Sequence, residues 1–437
     1  MVDFYLRDRS VTQTLGVLRH GVTVLTFIAG CSGVACSTAA EGTDAAEPLA
    51  AGRVYYFSDC QAGAAPNCVP GDNSNRGTSV ANPKQSLSGF DVKALPAGTR
   101  LLFARGGAWS NFTLTLENGN ATPTNPLVLD AYGTGAAPLF KTAGGNAIAI
   151  GGRWGNTSND GGYTLRNLHL DGMGSAEWGV WLVQNVRNVT LDNVDVTGFK
   201  IGVHSSSGSP HGVTGLAVRN SRINRNRSMG MLGSYTDSVI ENNSFEGNNF
   251  SGSSFNHAIY VSGGSRNIIR NNTFTANSAV DDVCLGGNVT VHGIVDGLLI
   301  EGNTIRQKAA KVSCYGFAVT AGYDTAEEFR NVVIRGNTIV NVGMTAIAVN
   351  SAPGVLVENN KVINTQDAQQ YSIWIPANGR PSSKDAVDRD AIVRNNTVCL
   401  VHQRNSVAVS VNVPGSQVSN NTVITGSAAL AKTCAVQ

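Results

Sequence analysis

Two histidines and a tyrosine in the middle of this 437-residue sequence have side chains suited to acid–base catalysis. His257 and Tyr260 stand in one apolar segment, and His292 follows in a comparable segment downstream. Because histidine titrates near neutral pH, His257 or His292 can act as a general base, and the phenol of Tyr260 can act as the acid. β-Elimination on a uronic acid needs such a pair, together with a cation that neutralises the substrate carboxylate. The candidate cations are Arg306, Lys308 and Lys311.

A pair of adjacent carboxylates, Asp281 and Asp282, offers other chemistry. Glycoside hydrolysis uses two carboxylates that flank the scissile bond. Carboxylate oxygens are also ligands that calcium prefers, so the pair is a candidate calcium site, although no cofactor is required by the chemistry. The structural alternatives to these catalytic roles are a solvated loop that contains the two aspartates, and a corner position in which His257 is hydrogen-bonded to the backbone. A third class of function is a non-catalytic polysaccharide binder or a scaffold for exopolysaccharide assembly.

Aromatic residues recur at fixed places in a pattern of small, apolar, variable and apolar residues, as in Ala258-Ile259-Tyr260-Val261. In a strand, the variable residue between two buried ones points outward. The predicted outward column contains Trp181, His204, Leu232, Tyr260, His292, Ala318, Ala348 and Trp374, and a second set three residues earlier contains Trp178, Met229, His257, Tyr315 and Tyr371. Aromatic rings with a polar group suit sugars, so we predict a substrate groove rather than a stack buried under a loop. The predicted substrate-binding residues are Trp178, Trp181, His204, Asp281, Asp282, Tyr315, Tyr323 and Trp374.

A repeated phrase between residues 160 and 425 indicates what positions these side chains. Two polar residues, usually Asn-Asn or Gly-Asn, precede Thr or Ser and then an apolar residue. The phrase occurs at Asn242-Asn243, Asn271-Asn272, Gly302-Asn303, Gly336-Asn337, Asn395-Asn396 and Asn420-Asn421. Periods of about 20–50 residues are typical of stacked supersecondary units. Because the apolar residues alternate, the repeat predicts a parallel β-helix in which Asn side chains stack at a corner.

The segments before the repeats carry a family resemblance. Residues 54–58 (VYYFS) read as a strand, residues 71–79 (GDNSNRGTS) as a polar loop, and Pro83 follows. With residues 95–107 and 125–138, this opening resembles the pectate-lyase-like right-handed parallel β-helix superfamily. The resemblance implies an all-β fold, namely a single-stranded right-handed parallel β-helix with an N-terminal cap whose helix covers the first coil. It also implies polysaccharide substrates, often with uronic acids, in a superfamily of lyases, hydrolases, epimerases and non-catalytic binders.

The polygalacturonase family is a weaker resemblance. Asp281-Asp282-Val283-Cys284 is similar to its paired-Asp motif, and this likeness would favour hydrolysis. No Gly-His-Gly follows, because the chain has Val291-His292-Gly293 instead, and there is no matching Arg-x-Lys. We therefore rank hydrolysis second to elimination.

The N-terminus resembles an export signal over residues 1–31. Basic residues precede the apolar residues 22–29, and Ile28-Ala29-Gly30-Cys31 resembles a bacterial lipobox in which Cys31 is lipidated. A cleaved signal that ends near Ala35 or Ala40 is the alternative. We predict a flexible tether over residues 32–52, the cap region over 53–94, a β-helix of about a dozen coils over 95–425 and a tail over 426–437. The expected location is extracellular, or an outer-membrane or periplasmic lipoprotein.

Six of the eight cysteines remain once Cys31 and Cys36 are set aside. Six cysteines allow 15 connectivities. We predict disulfides between Cys60 and Cys68, between Cys284 and Cys314, and between Cys399 and Cys434. Disulfides are typical of exported proteins, and no pair of cysteines has the spacing of a zinc site.

Charge and hydropathy exclude several classes of partner. Only 14% of the residues are charged and the net charge is +2, which argues against a nucleic-acid partner bound through its phosphates. No apolar run approaches the roughly 20 residues of a membrane span, so a membrane contact would depend on the lipid anchor. We therefore expect a monomer whose partner is a polysaccharide.

Overall fold

The computed structural model describes residues 52–151, 160–205, 212–281, 283–307, 311–367, 369–376, 382–402, 406–430 and 434–435. The predicted export signal, Cys31 and nearly all of the predicted tether lie outside these ranges. Within them, the chain forms 37 strands, numbered here in chain order, and one short 3₁₀ helix at Gly426–Leu430. No helix in the described part of the chain combines the length and the hydropathy needed to cross a bilayer.

Three ladders of parallel strands run along the solenoid, and each coil contributes to all three in turn. Ladder 1 contains β4 (Leu114–Leu116), β7 (Asn146–Ile150), β10 (Trp178–Leu182), β13 (Ile201–Ser205), β17 (Met229–Thr236), β20 (His257–Arg270), β23 (Val283–Val291), β26 (Lys311–Val319), β29 (Gly343–Val349), β32 (Tyr371–Ile375) and β35 (Val407–Val411). The long strands β17 and β20 continue from ladder 1 into ladder 2. The fold is therefore the predicted parallel β-helix.

The other two ladders form the remaining faces. Ladder 2 contains β1 (Val54–Phe57), β2 (Arg100–Ala104), β5 (Leu127–Tyr132), β8 (Gly161–Arg166), β11 (Arg187–Asp192), β14 (Val213–Thr214), β15 (Ala217–Arg219), β18 (Val239–Glu241), β24 (Ile294–Glu301), β27 (Glu328–Arg335), β30 (Leu356–Glu358), β33 (Ile392–Arg394) and β36 (Gln417–Ser419). Ladder 3 contains β3 (Ala108–Trp109), β6 (Leu139–Lys141), β9 (His169–Asp171), β12 (Asp195–Thr197), β16 (Arg222–Asn224), β19 (Ser244–Glu246), β21 (Thr273–Thr275), β25 (Thr304–Arg306), β28 (Thr338–Val340), β31 (Lys361–Asn364), β34 (Thr397–Leu400) and β37 (Thr422–Thr425). Strand β22 (Ala279–Val280) forms a hairpin with β23.

The repeated Asn phrase makes the corner between ladders 2 and 3. Its first residue has a positive φ, for example 53° at Asn271 and 64° at Gly302, which explains why Asn or Gly stands there. Its second residue is a buried Asn whose amide donates to the amide oxygen of the next Asn along the axis. This run of hydrogen bonds joins Asn243, Asn272, Asn303, Asn337, Asn360, Asn396 and Asn421. The stacked corner that the sequence predicts is therefore present.

The interior between the ladders is filled by one apolar residue row per strand. Val393 and Val398, for example, are fully buried, and Phe245 stacks on Phe274 with ring centroids 5.0 Å apart.

The predicted disulfides are formed, with Cα separations of 5.7 Å for Cys60–Cys68, 5.3 Å for Cys284–Cys314 and 5.9 Å for Cys399–Cys434.

The N-terminal region departs from the expected capping helix. Residues 52–94 contain strand β1, turns and isolated bridges, and no helix. After Pro83, where the helix was expected, Gly89 has a positive φ of 67°, which a right-handed helix excludes. The region instead packs the ring of Phe90 against Phe57, which stacks on Phe103 of the first full coil.

Candidate functional site

The outward column of ladder 1 follows the prediction, with one correction. Cross-strand register aligns Trp181, His204, Leu232, Tyr260, Thr290, Ala318, Ala348 and Trp374. Thr290 thus occupies the position predicted for His292. The buried pair that flanks the column is Val289 and Val291, and His292 comes after it. Because the shift is two residues, His292 stays on the outward side of the strand.

The second set of residues also forms a column. Register from His257 runs through Gly287, Tyr315, Thr345 and Tyr371. A Cβ atom at Gly287 would lie 3.0 Å from His257 Nδ1 and 2.8 Å from Thr290 Oγ1. Glycine at this position therefore leaves the space that the imidazole and the hydroxyl fill.

A cleft of about 330 Å³ lies over these columns. It brings together the three predicted acid–base residues His257, Tyr260 and His292. It is also lined by Ser254, Phe255, Thr290, Tyr315, Ala318, Thr320, Ala321, Tyr323, Ala348, Asn350 and Trp374. Within the described chain, no Lys, Arg, Asp or Glu side chain lines it, so its walls are aromatic and hydroxyl-bearing.

His292 is held by a buried carboxylate. Its Nδ1 lies 3.1 Å from Oε1 of Glu327, and Glu327 is fully buried while His292 is 15% exposed. Glu327 also accepts hydrogen bonds from the backbone N–H groups of Gly293 (2.6 Å), Gly322 and Tyr323 (2.9 Å). Burial by itself raises the pKa of a carboxyl, but these hydrogen bonds outweigh it and keep the pKa of Glu327 below its ordinary value. An ionised Glu327 can accept from Nδ1–H, and in the neutral tautomer that makes this hydrogen bond the lone pair of the imidazole is on Nε2.

Two tyrosines stand against this histidine. The hydroxyls of Tyr260 and Tyr323 are 2.6 Å apart, and the His292 ring lies 5.4 Å from the Tyr260 ring and 4.8 Å from the Tyr323 ring. Burial raises the pKa of Tyr260, and the hydrogen bond to Tyr323 raises it further. Tyr260 therefore keeps its proton and is a candidate proton donor in the cleft.

His257 is more deeply buried than His292. Its side chain is 7% exposed, its Nδ1 lies 3.1 Å from the Thr290 hydroxyl and its ring stacks on Tyr260 at 5.5 Å. Burial, and to a smaller extent the nearby His292, lower the pKa of His257 to about 3. His257 is therefore neutral at neutral pH and a weak base.

The predicted residues Trp178, Trp181 and His204 form a separate aromatic cluster. Trp178 lies 4.6 Å from Trp181 and 4.8 Å from His204 between ring centroids. The column places Trp181 three coils before Tyr260, which is roughly 14 Å at the usual strand spacing. These residues share the groove face with the cleft but do not line it.

Of the predicted charged residues whose side chains the structure describes, neither Arg306 nor Asp281 lines the cleft. Arg306 ends β25 on ladder 3, a different face of the solenoid. Lys311 opens β26, four residues before Tyr315, and its side chain is outside the described set, as is all of Lys308. Asp281 is exposed at the tip of the β22–β23 hairpin with φ 45°, a backbone that tight hairpins require, and Asp282 lies outside the described residues.

The described side chains also offer little to a metal ion. They include no group of three or more His, Cys, Asp or Glu residues placed to hold one. Asp281 stands apart from the cleft residues, so calcium binding at the aspartate pair stays a prediction.

Glu327 is the residue of the candidate site that sequence reasoning did not assign. Its backbone N–H donates to Asp385 Oδ1 (2.9 Å), and Oδ2 of Asp385 accepts from Ser382 N–H (3.0 Å), so loops from two coils fix it. The available signal was an acidic pair, Glu327-Glu328, in the long insertion after β26. Nothing in the sequence distinguishes its buried member from its partly exposed one.

Acid is expected to destabilise the protein through His257. Between pH 6.5 and 3, His257 is protonated in the unfolded chain but neutral in the folded protein. The free energy of unfolding is therefore greatest above pH 6.5 and falls as the pH decreases towards 3. At about 1.4 kcal/mol per pKa unit, the upper limit is about 5 kcal/mol. Denaturation of the wild type and His257→Phe across this pH range should give a flatter curve for the variant. Parallel curves would contradict the expectation.

Comparison with known proteins places this fold in a family. Residues 154–322 and 281–435 match the family described as the right handed beta helix region, and the chain belongs to that family. The coil is therefore right-handed, as predicted. No curated protein sequence matches this chain significantly.

Solved structures support the same fold. A GH136 lacto-N-biosidase from Eubacterium ramulus is similar at 13% identity and a TM-score of 0.55, covering 85% of this chain and 68% of that one. The Dettilon tailspike protein is similar at 13% identity and a TM-score of 0.52, covering 75% of this chain and 62% of its own. This chain thus spans less than two thirds of the tailspike. At these identities the likeness concerns the fold.

Proposed function

We propose that this protein is a polysaccharide-processing enzyme whose active site is the cleft on ladder 1, and that it cleaves a uronic-acid-containing polymer by β-elimination. One observation carries the proposal. A buried carboxylate, Glu327, orients an imidazole, His292, beside a hydrogen-bonded pair of phenols in an aromatic cleft. A base held by a carboxylate and placed next to a proton donor is the arrangement that such a reaction needs.

His292 is the proposed base, in preference to His257. With Nδ1–H donated to Glu327, Nε2 can take the proton α to the substrate carboxylate, and the negative charge of Glu327 stabilises the imidazolium that forms. His257, with its pKa of about 3, serves better as a neutral wall that positions Thr290 and Tyr260.

The phenol pair is the proposed acid. Tyr260 and Tyr323 share one short hydrogen bond, so either hydroxyl can donate to the leaving glycosidic oxygen while the other supports it. Tyr323 is half exposed and faces incoming substrate, whereas Tyr260 belongs to the rigid strand β20. Tyr315 and Trp374 offer apolar surface to neighbouring sugar rings.

Neutralising the substrate carboxylate needs a further group. The described wall of the cleft lacks a cation, and Arg306 is on another face. Lys311, which opens the strand that carries Tyr315, and Lys308, three residues earlier in the sequence, are the proposed partners. The same uncharged wall favours a second candidate function, binding of a neutral glycan without catalysis. Hydrolysis is the alternative chemistry, but it requires two carboxylates, and Asp281 lies on a hairpin tip.

We also propose that the protein is exported and that Cys31 is its lipid anchor. Three disulfides suit an oxidising compartment. Radiolabelled lipid incorporated by the wild type and absent from Cys31→Ser would support the anchor. Equal labelling of both, or of neither, would reject it.

A substrate screen tests the function. Acidic and neutral polysaccharides are incubated with the protein, with and without calcium or chelator, and followed by ultraviolet absorbance and by a reducing-end assay. New absorbance from unsaturated uronate ends is the expected result for elimination. Reducing ends without absorbance would favour hydrolysis, and retention in an affinity gel without either signal would favour the binder.

A further inference from the structure

The C-terminal end of the solenoid has free strand edges. Strands β35, β36 and β37 make the last coil, and each pairs on one edge with the coil before it. Among the described residues, no strand pairs with their opposite edges. A row of unpaired backbone N–H and C=O groups is a template on which another chain can add strands.

Apolar side chains that face the interior are also uncovered at this end. Val393 and Val398 are fully buried in the preceding coil. Their register partners in the last coil, Val418 and Val423, are 51% and 49% exposed. Among the described residues, the interior-facing side chains of this coil are therefore half exposed to solvent.

The described residues after the last coil, 426–430 and 434–435, pack against the side of the solenoid. The 3₁₀ helix Gly426–Leu430 leads back along ladder 3, where Ala429 packs with Ile363 and Cys399. Cys434 is disulfide-bonded to Cys399, and Lys361 Nζ donates to the carbonyl of Ala435 at 3.3 Å. These contacts hold the segment against the side of the solenoid.

The last coil is also free of charge. Residues 406–431 contain no Asp, Glu, Lys or Arg, although proteins usually protect free edges with charged side chains. An uncharged surface meets an identical surface without like-charge repulsion, and a two-fold interface uses the same patch on both subunits. We propose that two copies of this chain associate end to end through their last coils, here named the end surface (β35, β36 and β37). This departs from the monomer expected from sequence, and it does not depend on the proposed chemistry.

Light scattering after size exclusion tests the association over a series of protein concentrations. The wild type is expected to have twice the mass of one chain, and Val418→Lys/Val423→Lys the mass of one chain, with an unchanged circular dichroism spectrum. The matched control is Val69→Lys/Val80→Lys, at positions 75% and 58% exposed in the N-terminal cap region, which should keep the double mass. A wild type of single mass at every concentration, or a folded end-surface variant of double mass, would overturn the proposal.

Hydrogen exchange provides a test that needs no substitution. Amides of Gln417–Ser419 and Thr422–Thr425 should exchange more slowly as wild-type concentration rises, while those of β1 should not change. Exchange that is independent of concentration at the end surface would reject the association even if the lysine variant failed to fold.

Discussion

Replacing His292 with alanine is expected to reduce turnover of a confirmed substrate by about 10²–10⁴-fold, the usual contribution of a general acid or base. The substitution removes the imidazole between Glu327 and the phenol pair, so no group in the described cleft can replace it as base. The fold should survive, because His292 follows the buried valines of β23 rather than filling the interior. Initial rates and thermal melting of the purified variant give the two readouts.

Two comparisons decide whether the loss reflects chemistry. His402→Ala changes an exposed histidine outside the cleft and should leave the rate unchanged. Tyr260→Phe should also reduce turnover strongly, since it breaks the 2.6 Å hydrogen bond of the phenol pair. If His292→Ala and Tyr260→Phe both kept full activity, the cleft would not be the active site, and the Asp281–Asp282 pair would become the next candidate.

Glu327 is a positioning residue in this scheme, and Glu327→Gln separates that role from a structural one. The amide keeps the shape but removes the charge that stabilises a protonated His292, and its nitrogen cannot accept two of the four hydrogen bonds that the carboxylate receives. We expect kcat to fall while KM changes little, because the substrate does not touch Glu327. A rise in KM at constant kcat would indicate that the loop around Tyr323 has moved instead.

The fold could be predicted from sequence because its signal is local and repeated. Each Asn-Asn or Gly-Asn phrase predicts a left-handed residue followed by a buried amide. The structure has both at each described copy of the phrase. The capping helix was wrong because it came from resemblance, whereas Gly89, after Pro83, has a positive φ that a right-handed helix excludes. The repeated Asn phrase thus predicted its part of the fold better than the family resemblance predicted the N-terminal cap.

For the candidate site, the sequence predicted which residues would be neighbours better than it predicted their register. His257, Tyr260 and His292 do share one cleft, since outward residues of adjacent strands must be neighbours. The coil of His292 carries an insertion and a hairpin, so its register could not be counted from the repeat, and Thr290 took the column position. Glu327 and its partner Asp385 come from loops 58 residues apart, a contact that no local pattern encodes.

Substituting Asn337 with alanine is expected to lower the free energy of unfolding by roughly 2–4 kcal/mol, because buried partners are left without hydrogen bonds. Its amide nitrogen donates to Asn360 Oδ1 (2.9 Å) and to the carbonyl of Ile300 (3.0 Å). Its amide oxygen accepts from both the backbone N–H (2.9 Å) and the side chain (3.0 Å) of Asn303. Chemical denaturation measures the change.

The control for this stability effect is Asn412→Ala. Asn412 is exposed and its side chain makes one 3.2 Å hydrogen bond, to Ser410, so its loss should change stability by roughly 0.5 kcal/mol or less. Since Asn337 lies at the corner between ladders 2 and 3, away from the cleft, Asn337→Ala should keep its turnover below the melting temperature. Equal stability of the two variants would mean that the Asn run is a consequence of the fold rather than one of its causes, and that the ladder strands alone hold neighbouring coils in register.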